Sequence, residues 1–202
     1  NLPNSDEIWK GIGGHFDSLG QIISEFIDNS ITNIISTKPM MRNITISFEE
    51  QENSVIVSIE DSGSGIKNLD NAFTLGGIAD KQGPLNEHGF GMKHALASAN
   101  PDNNNWLVCS RTQENIEENV YFKITSPYAI NNLLAYKIED EPWPGKYNGT
   151  GTYIKFKCSR EMFNTLRTGM PGQANFSTCI KYLIEDLGFI YAGLIERNEA
   201  SF

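Results

Sequence analysis

The spacing of apolar residues changes period near residue 40, and that change limits the fold more than any other feature. From Asp17 to Ser36 the apolar residues fall at Leu19, Ile22, Ile23, Phe26, Ile27, Ile31 and Ile34, one buried face of a helix. Pro39 closes that helix, because the residue before a proline is pushed out of the helical region. From Arg42 to Glu49, Ile44, Ile46 and Phe48 alternate with Asn43, Thr45 and Ser47, the pattern of a half-buried strand. Glu49–Asn53 reads as a hairpin loop, and Ser54–Glu60 as a second strand with Val55, Val57 and Ile59 on one face. A one-faced helix followed by hairpin-linked strands buries both apolar faces by stacking them as layers.

The rest of the chain repeats this vocabulary. Leu69–Leu75 and Gly91–Ala99 read as helices, and Trp106–Thr112, Val120–Thr125, Leu133–Ile138 and Thr152–Cys158 as strands. Ile180, Leu183, Ile184, Leu187, Ile190 and Leu194 recur as a C-terminal helix. Gly76–Gly89 holds four glycines and a proline without periodicity, which predicts a long mobile loop. The expected fold is an α+β two-layer α/β sandwich: a mixed, mostly antiparallel sheet covered on one face by helices, with 1–202 as a single domain.

Composition narrows the function classes. Sixteen Lys and Arg against 25 Asp and Glu leave a net charge of −9, which argues against a surface-wide grip on a nucleic-acid backbone. A local polyanion site remains open if a few donors converge. Cys109, Cys158 and Cys179 are odd in number and widely spaced, so neither a zinc site nor a disulfide framework is expected. No run approaches the ~20 apolar residues of a membrane span. These features lead to the expectation of a cytoplasmic, reducing environment with no membrane partner. The chain opens at Asn1 rather than Met, and is expected to be a fragment of a longer protein.

Three local features carry chemistry. Glu25 and Asn29, four residues apart on the first long helix, lie about 40° apart on the helical wheel at the edge of its apolar stripe. A carboxamide oxygen there can ligate a hard cation, and a carboxylate beside it can polarise a water; taken alone, such a pair is more often an ordinary polar helix flank. Asp61-Ser62-Gly63-Ser64-Gly65 follows directly on a strand. Its carboxylate can accept a hydrogen bond from an amine such as the adenine 6-amino group, and the glycines allow close backbone approach; the same residues also make a plain turn. Gly89-Phe90-Gly91-Met92-Lys93 runs from the glycine-rich loop into a helix, so that backbone N–H groups and the helix dipole can cradle phosphate with Lys93 as a point charge. It is neither a P-loop nor a Rossmann fingerprint, and a glycine-capped surface loop fits it as well.

Their order decides among these readings. The Glu-x-x-x-Asn helix, the strand ending in Asp-x-Gly-x-Gly, the glycine loop into a helix, and Gly149-Thr150-Gly151-Thr152 opening a late strand together resemble the GHKL superfamily of ATP-binding domains. That superfamily includes gyrase B and other type II topoisomerase ATPases, MutL, ninety-kilodalton heat-shock chaperones, MORC proteins and sensor histidine kinases. The resemblance covers about Leu19 to Phe156 and implies a Bergerat-type fold with ATP and Mg²⁺ as ligands. It implies Glu25 as the general base and Asn29 as the Mg²⁺ ligand. Asp61 would receive the adenine amino group, Gly63 and Gly65 would shape its pocket, and Thr152 would complete the base contact. Gly89 and Gly91 would offer backbone donors to phosphate, with Lys93 beside them, and segment 76–88 would be a lid closing over the nucleotide. Asp28 and Ser30 would pack or orient the motif.

Departures are visible. The helix continues Ser30-Ile31-Thr32-Asn33, where many members carry an acidic residue and alanine, a change expected to be tolerated at its far end. The wording Gly89-Phe90-Gly91-Met92-Lys93 resembles the chaperone and MORC branch more than the gyrase branch. Gyrase-like members also receive a lysine from a downstream domain, so slow hydrolysis by 1–202 alone is expected where that residue is needed. His88 abuts the phosphate loop, His94 is expected to be structural, and His15 precedes the first long helix. Segment 1–14, with Trp9, would be a strap over a neighbouring chain.

The resemblance implies an ATPase whose lid closure or nucleotide-dependent homodimerisation drives downstream domains of the same chain, with nucleic acid met only through other regions. Two alternatives remain at this level: a histidine or serine protein kinase catalytic domain, and a nucleotide-responsive interaction module without turnover. Glu25 favours the ATPase, because related histidine kinases more often carry Asn at that position.

Overall fold

The computed structural model describes residues 4–37, 42–73, 91–129, 134–167 and 175–196. In chain order the elements are α1 (Ser5–Ile12), α2 (Leu19–Thr37), β1 (Ile44–Glu50), β2 (Ser54–Asp61), α3 (Leu69–Phe73), α4 (Gly91–Ala99), β3 (Trp106–Arg111), α5 (Gln113–Glu117), β4 (Tyr121–Thr125), β5 (Tyr136–Ile138), β6 (Gly151–Ser159), α6 (Arg160–Asn164), α7 (Phe176–Ile190) and α8 (Ala192–Glu196). Six strands form one sheet in the order β1-β2-β6-β3-β4-β5. Every pairing among the described residues is antiparallel, where the sequence pattern leads one to expect a mixed, mostly antiparallel sheet. The α+β sandwich itself is as expected.

Register explains how the helix-facing side of the sheet is built. Val57, Phe156 and Trp106 lie in one cross-strand row, and Ile59, Ile154 and Val108 in the next. All six are buried, and α2 lays Ile22, Ile23, Phe26, Ile27 and Ile34 into the same core. The Phe26 ring sits 5.8 Å from that of Phe156. Complete burial of each such side chain contributes about 1.5–3 kcal/mol. The third row, at one end of the sheet, is polar and equally buried: Asp61, Thr152 and Ser110. A buried polar row ending an apolar ladder is costly unless its groups are hydrogen-bonded, as these are.

The helices α2 and α4 pack side by side in opposite directions. Glu25 meets Gly91 at one end, the rings of His15 and His94 lie 4.4 Å apart further along, and the Gly14 N–H donates to Ser98 Oγ beyond them. The short helix α1 is missing from the periodicity reading, although Asn4 caps it by accepting from the Asp6 N–H. Trp9 does not reach outward as a strap. It is fully buried in its own chain, stacked between Trp106 and Tyr128 with both centroids at 5.2 Å, and its Nε1 donates to the Asn100 carbonyl at 2.7 Å. A tryptophan that finds both aromatic faces and an acceptor at home is held there.

Other differences are local. The C-terminal helix breaks at Tyr191 (φ −104°, ψ 11°), whose hydroxyl donates to Asp28 Oδ1 at 2.8 Å. The strand expected over Leu133–Ile138 is Tyr136–Ile138, with Leu133 outside the described residues. Residues 74 and 75 of the expected Leu69–Leu75 helix, and the proposed lid with His88, also lie outside them. The three cysteines are free and buried, and burial pushes the Cys109 and Cys158 thiols up to about 12. No helix among the described residues is long and apolar enough to cross a membrane.

Candidate functional site

One polar stripe of α2 spans the site. Glu25, Asn29 and Asn33 stand four residues apart, so they drift only about 80° around the helix while advancing about 12 Å along it. At its upper end the Asn29 Nδ2 donates to Glu25 Oε1 at 3.4 Å. This leaves the Asn29 Oδ1 as the oxygen suited to a hard cation. The Glu25 carboxylate lies against the first residue of α4: a β-carbon on Gly91 would stand 2.8 Å from Glu25 Cδ and overlap Oε1. Only glycine lets the carboxylate and this helix start share the space. The N-terminal end of α4 is the positive end of that helix's dipole, so the region favours anions.

At the lower end of the stripe lies the polar row of the sheet. Asp61 is 6% exposed. Its Oδ1 accepts from the N–H groups of Gly63 at 2.9 Å and Thr152 at 3.3 Å, and its Oδ2 accepts from Ser30 Oγ at 3.0 Å. Burial raises its pKa from 3.8 to about 6, against the opposing pull of those hydrogen bonds. Thus Ser30 orients the Asp61 carboxylate from α2, a contact the motif reading does not specify, while Asp28 points the other way to Tyr191. Sequence, register and the α2 stripe bring Glu25, Asn29, Ser30, Asp61 and Thr152 to one end of the sandwich.

Asn33 is the residue that sequence reasoning missed. Its Oδ1 accepts from the Ser64 N–H at 2.7 Å and the Ser64 hydroxyl at 3.1 Å, and its Nδ2 reaches the Gly65 carbonyl at 3.4 Å. The carboxamide therefore satisfies both a donor and an acceptor in the Gly63–Gly65 turn, a task that the departure at the end of the helix motif performs rather than merely tolerates. Gly65 has φ +76°, and a β-carbon there would stand 2.5 Å from the Arg111 carbonyl oxygen. That backbone is left-handed and tightly backed, which reserves the position for glycine. The i, i+8 spacing from Glu25 is the only sequence signal for Asn33.

Lys93 occupies the first turn of α4, two residues from Gly91, with its side chain almost wholly buried and its pKa lowered by that burial. His94 is likewise held below its usual range by burial, then by the neighbouring His15 and Lys93 charges. Gly89 lies outside the described residues. A groove of about 440 Å³ lined by Glu49, Ile56, Lys155 and Lys157 opens on the opposite face of the sheet and shares no residue with this site.

A family model described as a GHKL domain matches residues 15–123, just over half of the chain. The match takes in Glu25, Asn29, Asp61, Gly63, Gly65, Gly89, Gly91 and Lys93 and stops before Thr152. None of the curated proteins compared with the chain matches it.

Proposed function

The chain belongs to the GHKL domain family, whose common activity is nucleotide binding, and from that premise we propose that it is a Mg²⁺-dependent ATPase module. The observation that carries the proposal is the approach of Glu25 to Gly91. It sets a proton acceptor beside the anion-favouring end of α4, where a terminal phosphate and its attacking water would meet.

In this reading Asp61 accepts the adenine amine, and Gly63, Gly65 and Thr152 shape the base pocket around it. Gly89 and Gly91 would offer backbone N–H donors to the phosphates, with Lys93 as a nearby charge. Asn29 holds Mg²⁺ through its amide oxygen, and the cation supplies charge neutralisation at the phosphate oxygens. Glu25 takes the proton from the attacking water as its oxygen bonds to the γ-phosphorus and the bond to ADP breaks. The Asn29 Nδ2 donates to Glu25 Oε1 and so holds the carboxylate in place along α2. Segment 76–88 closes over the nucleotide, and closure or dimerisation passes the state of the site to other domains.

Incubation of the protein with γ-labelled ATP tests the reading. Free labelled phosphate that appears only with Mg²⁺ supports it. Label retained on protein points instead to a kinase, and tight binding with neither product points to a nucleotide-responsive module.

A further inference from the structure

Asp61 and Glu60 are adjacent in β2 and therefore point to opposite faces of the sheet. Asp61 faces the helices. Glu60, 4% exposed, faces the other way and accepts from the backbone N–H groups of Lys146 at 2.8 Å and Tyr147 at 2.9 Å. Arg111 ends β3 on that same outer side. Its Nε and Nη2 donate to the Gly149 carbonyl at 3.0 and 2.6 Å, its Nη2 also donates to the Tyr147 carbonyl at 2.9 Å, and its guanidinium lies 4.5 Å over the Trp143 ring. The Tyr147 hydroxyl and Thr45 Oγ1 pair at 2.5 Å. Segment 143–150 has no regular secondary structure, so these contacts take the place of a ladder in fixing its backbone.

The far end of the segment enters the base pocket. Thr150 Oγ1 donates to the Gly63 carbonyl at 2.5 Å, and two residues on, Thr152 donates to Asp61. The main chain of Arg111 also backs the turn directly, since its carbonyl is what forbids a β-carbon on Gly65.

From these contacts we infer that Arg111 is a positioning residue for base recognition: acting from the outer face of the sheet through segment 143–150, it fixes the Gly63–Gly65 turn and the Asp61 environment. The inference rests on the adenine-pocket reading above. Arginine suits the task because its planar fork serves two carbonyls while its face stacks on an aromatic ring, which a lysine cannot do at once.

The test uses Arg111→Met, with ADP and GDP affinities measured by calorimetry and amide hydrogen exchange followed in the nucleotide-free protein. Loss of the fork should weaken ADP binding about tenfold, the factor that one net hydrogen bond carries. GDP affinity should change little, so the preference for adenine narrows. Exchange at Gly63, Ser64 and Gly65 should quicken while Val55 and Val57 in the preceding strand β2 stay protected, a split that uniform destabilisation would not produce. If Arg111→Met fails to fold, Glu60→Gln, which keeps one of the two accepting oxygens and loses the other together with the charge, should show the same pattern more weakly. A folded variant with unchanged ADP affinity and unchanged exchange at 63–65 overturns the inference, as does acceleration spread evenly over the sheet. Wild-type protein that binds neither nucleotide overturns the adenine-pocket reading itself.

Discussion

Glu25 on α2 and Gly91 at the start of α4 are in such close register that the absent β-carbon of residue 91 defines the seat of the carboxylate. The atom it would overlap is the far end of a flexible side chain, so a methyl group there displaces the carboxylate rather than the backbone. Gly91→Ala is therefore expected to leave the melting temperature unchanged or slightly raised, since alanine favours a helix over glycine by up to about 1 kcal/mol. ATP turnover should nonetheless fall at least about tenfold as the base loses its place. Paired melting and phosphate-release assays check this, and a large loss of stability would show that the backbone had moved instead.

The raised pKa of Asp61 makes a signed prediction about stability. Its carboxyl titrates at 3.8 in the unfolded reference and at about 6 in the fold. Between those values the folded chain holds a proton that the unfolded chain has lost, so stability falls as pH rises across this window and is level above it. The burden above pH 6 amounts to about 3 kcal/mol. Asp61→Asn should flatten the dependence between pH 4 and 6 and be more stable than wild type at pH 7, while binding adenine nucleotides less tightly. Urea unfolding at pH 4.5 and 7 would read this; parallel wild-type and variant profiles would contradict it.

Asn33→Ala removes the acceptor for the Ser64 N–H and the donor to the Gly65 carbonyl. A part-buried donor left unpaired costs about 1–3 kcal/mol. The expected result is a drop in stability of that order, together with weaker ADP binding, because the turn beside Asp61 loses its hold on α2. If ADP affinity stays at the wild-type level, Asn33 serves the fold alone.

How much of this was legible in the sequence depends on how local each signal is. The Glu25–Asn29 pairing follows from helical geometry, and the placement of Asp61 at a strand end follows from the alternation of Val55, Val57 and Ile59. Ser30 meeting Asp61 requires α2 to lie across β2, which periodicity implies only in outline. Asn33 and Ser64 are 31 residues apart, and their contact depends on a left-handed glycine turn that local pattern does not specify. The close approach of Glu25 to Gly91 crosses between two helices and leaves no trace in either. Helix α1 was within reach, because Asn4 followed by Asp6 and Glu7, with Lys10 in the last turn, is a complete set of end signals. Its eight residues were too short for periodicity to stand out. Segment 143–150 has no period at all, and its order comes from Glu60 and Arg111, whose side chains read as ordinary surface charges in an alternating strand.

The central claim is that the Glu25 carboxylate activates water for attack on ATP. The most direct measurement is Mg²⁺-dependent phosphate release by Glu25→Ala, alongside its affinity for a non-hydrolysable ATP analogue. General-base catalysis contributes about 10²–10⁴-fold, so release should fall by at least a hundredfold while the analogue still binds with near wild-type affinity. Undiminished phosphate release by a variant that binds the analogue normally would contradict the account.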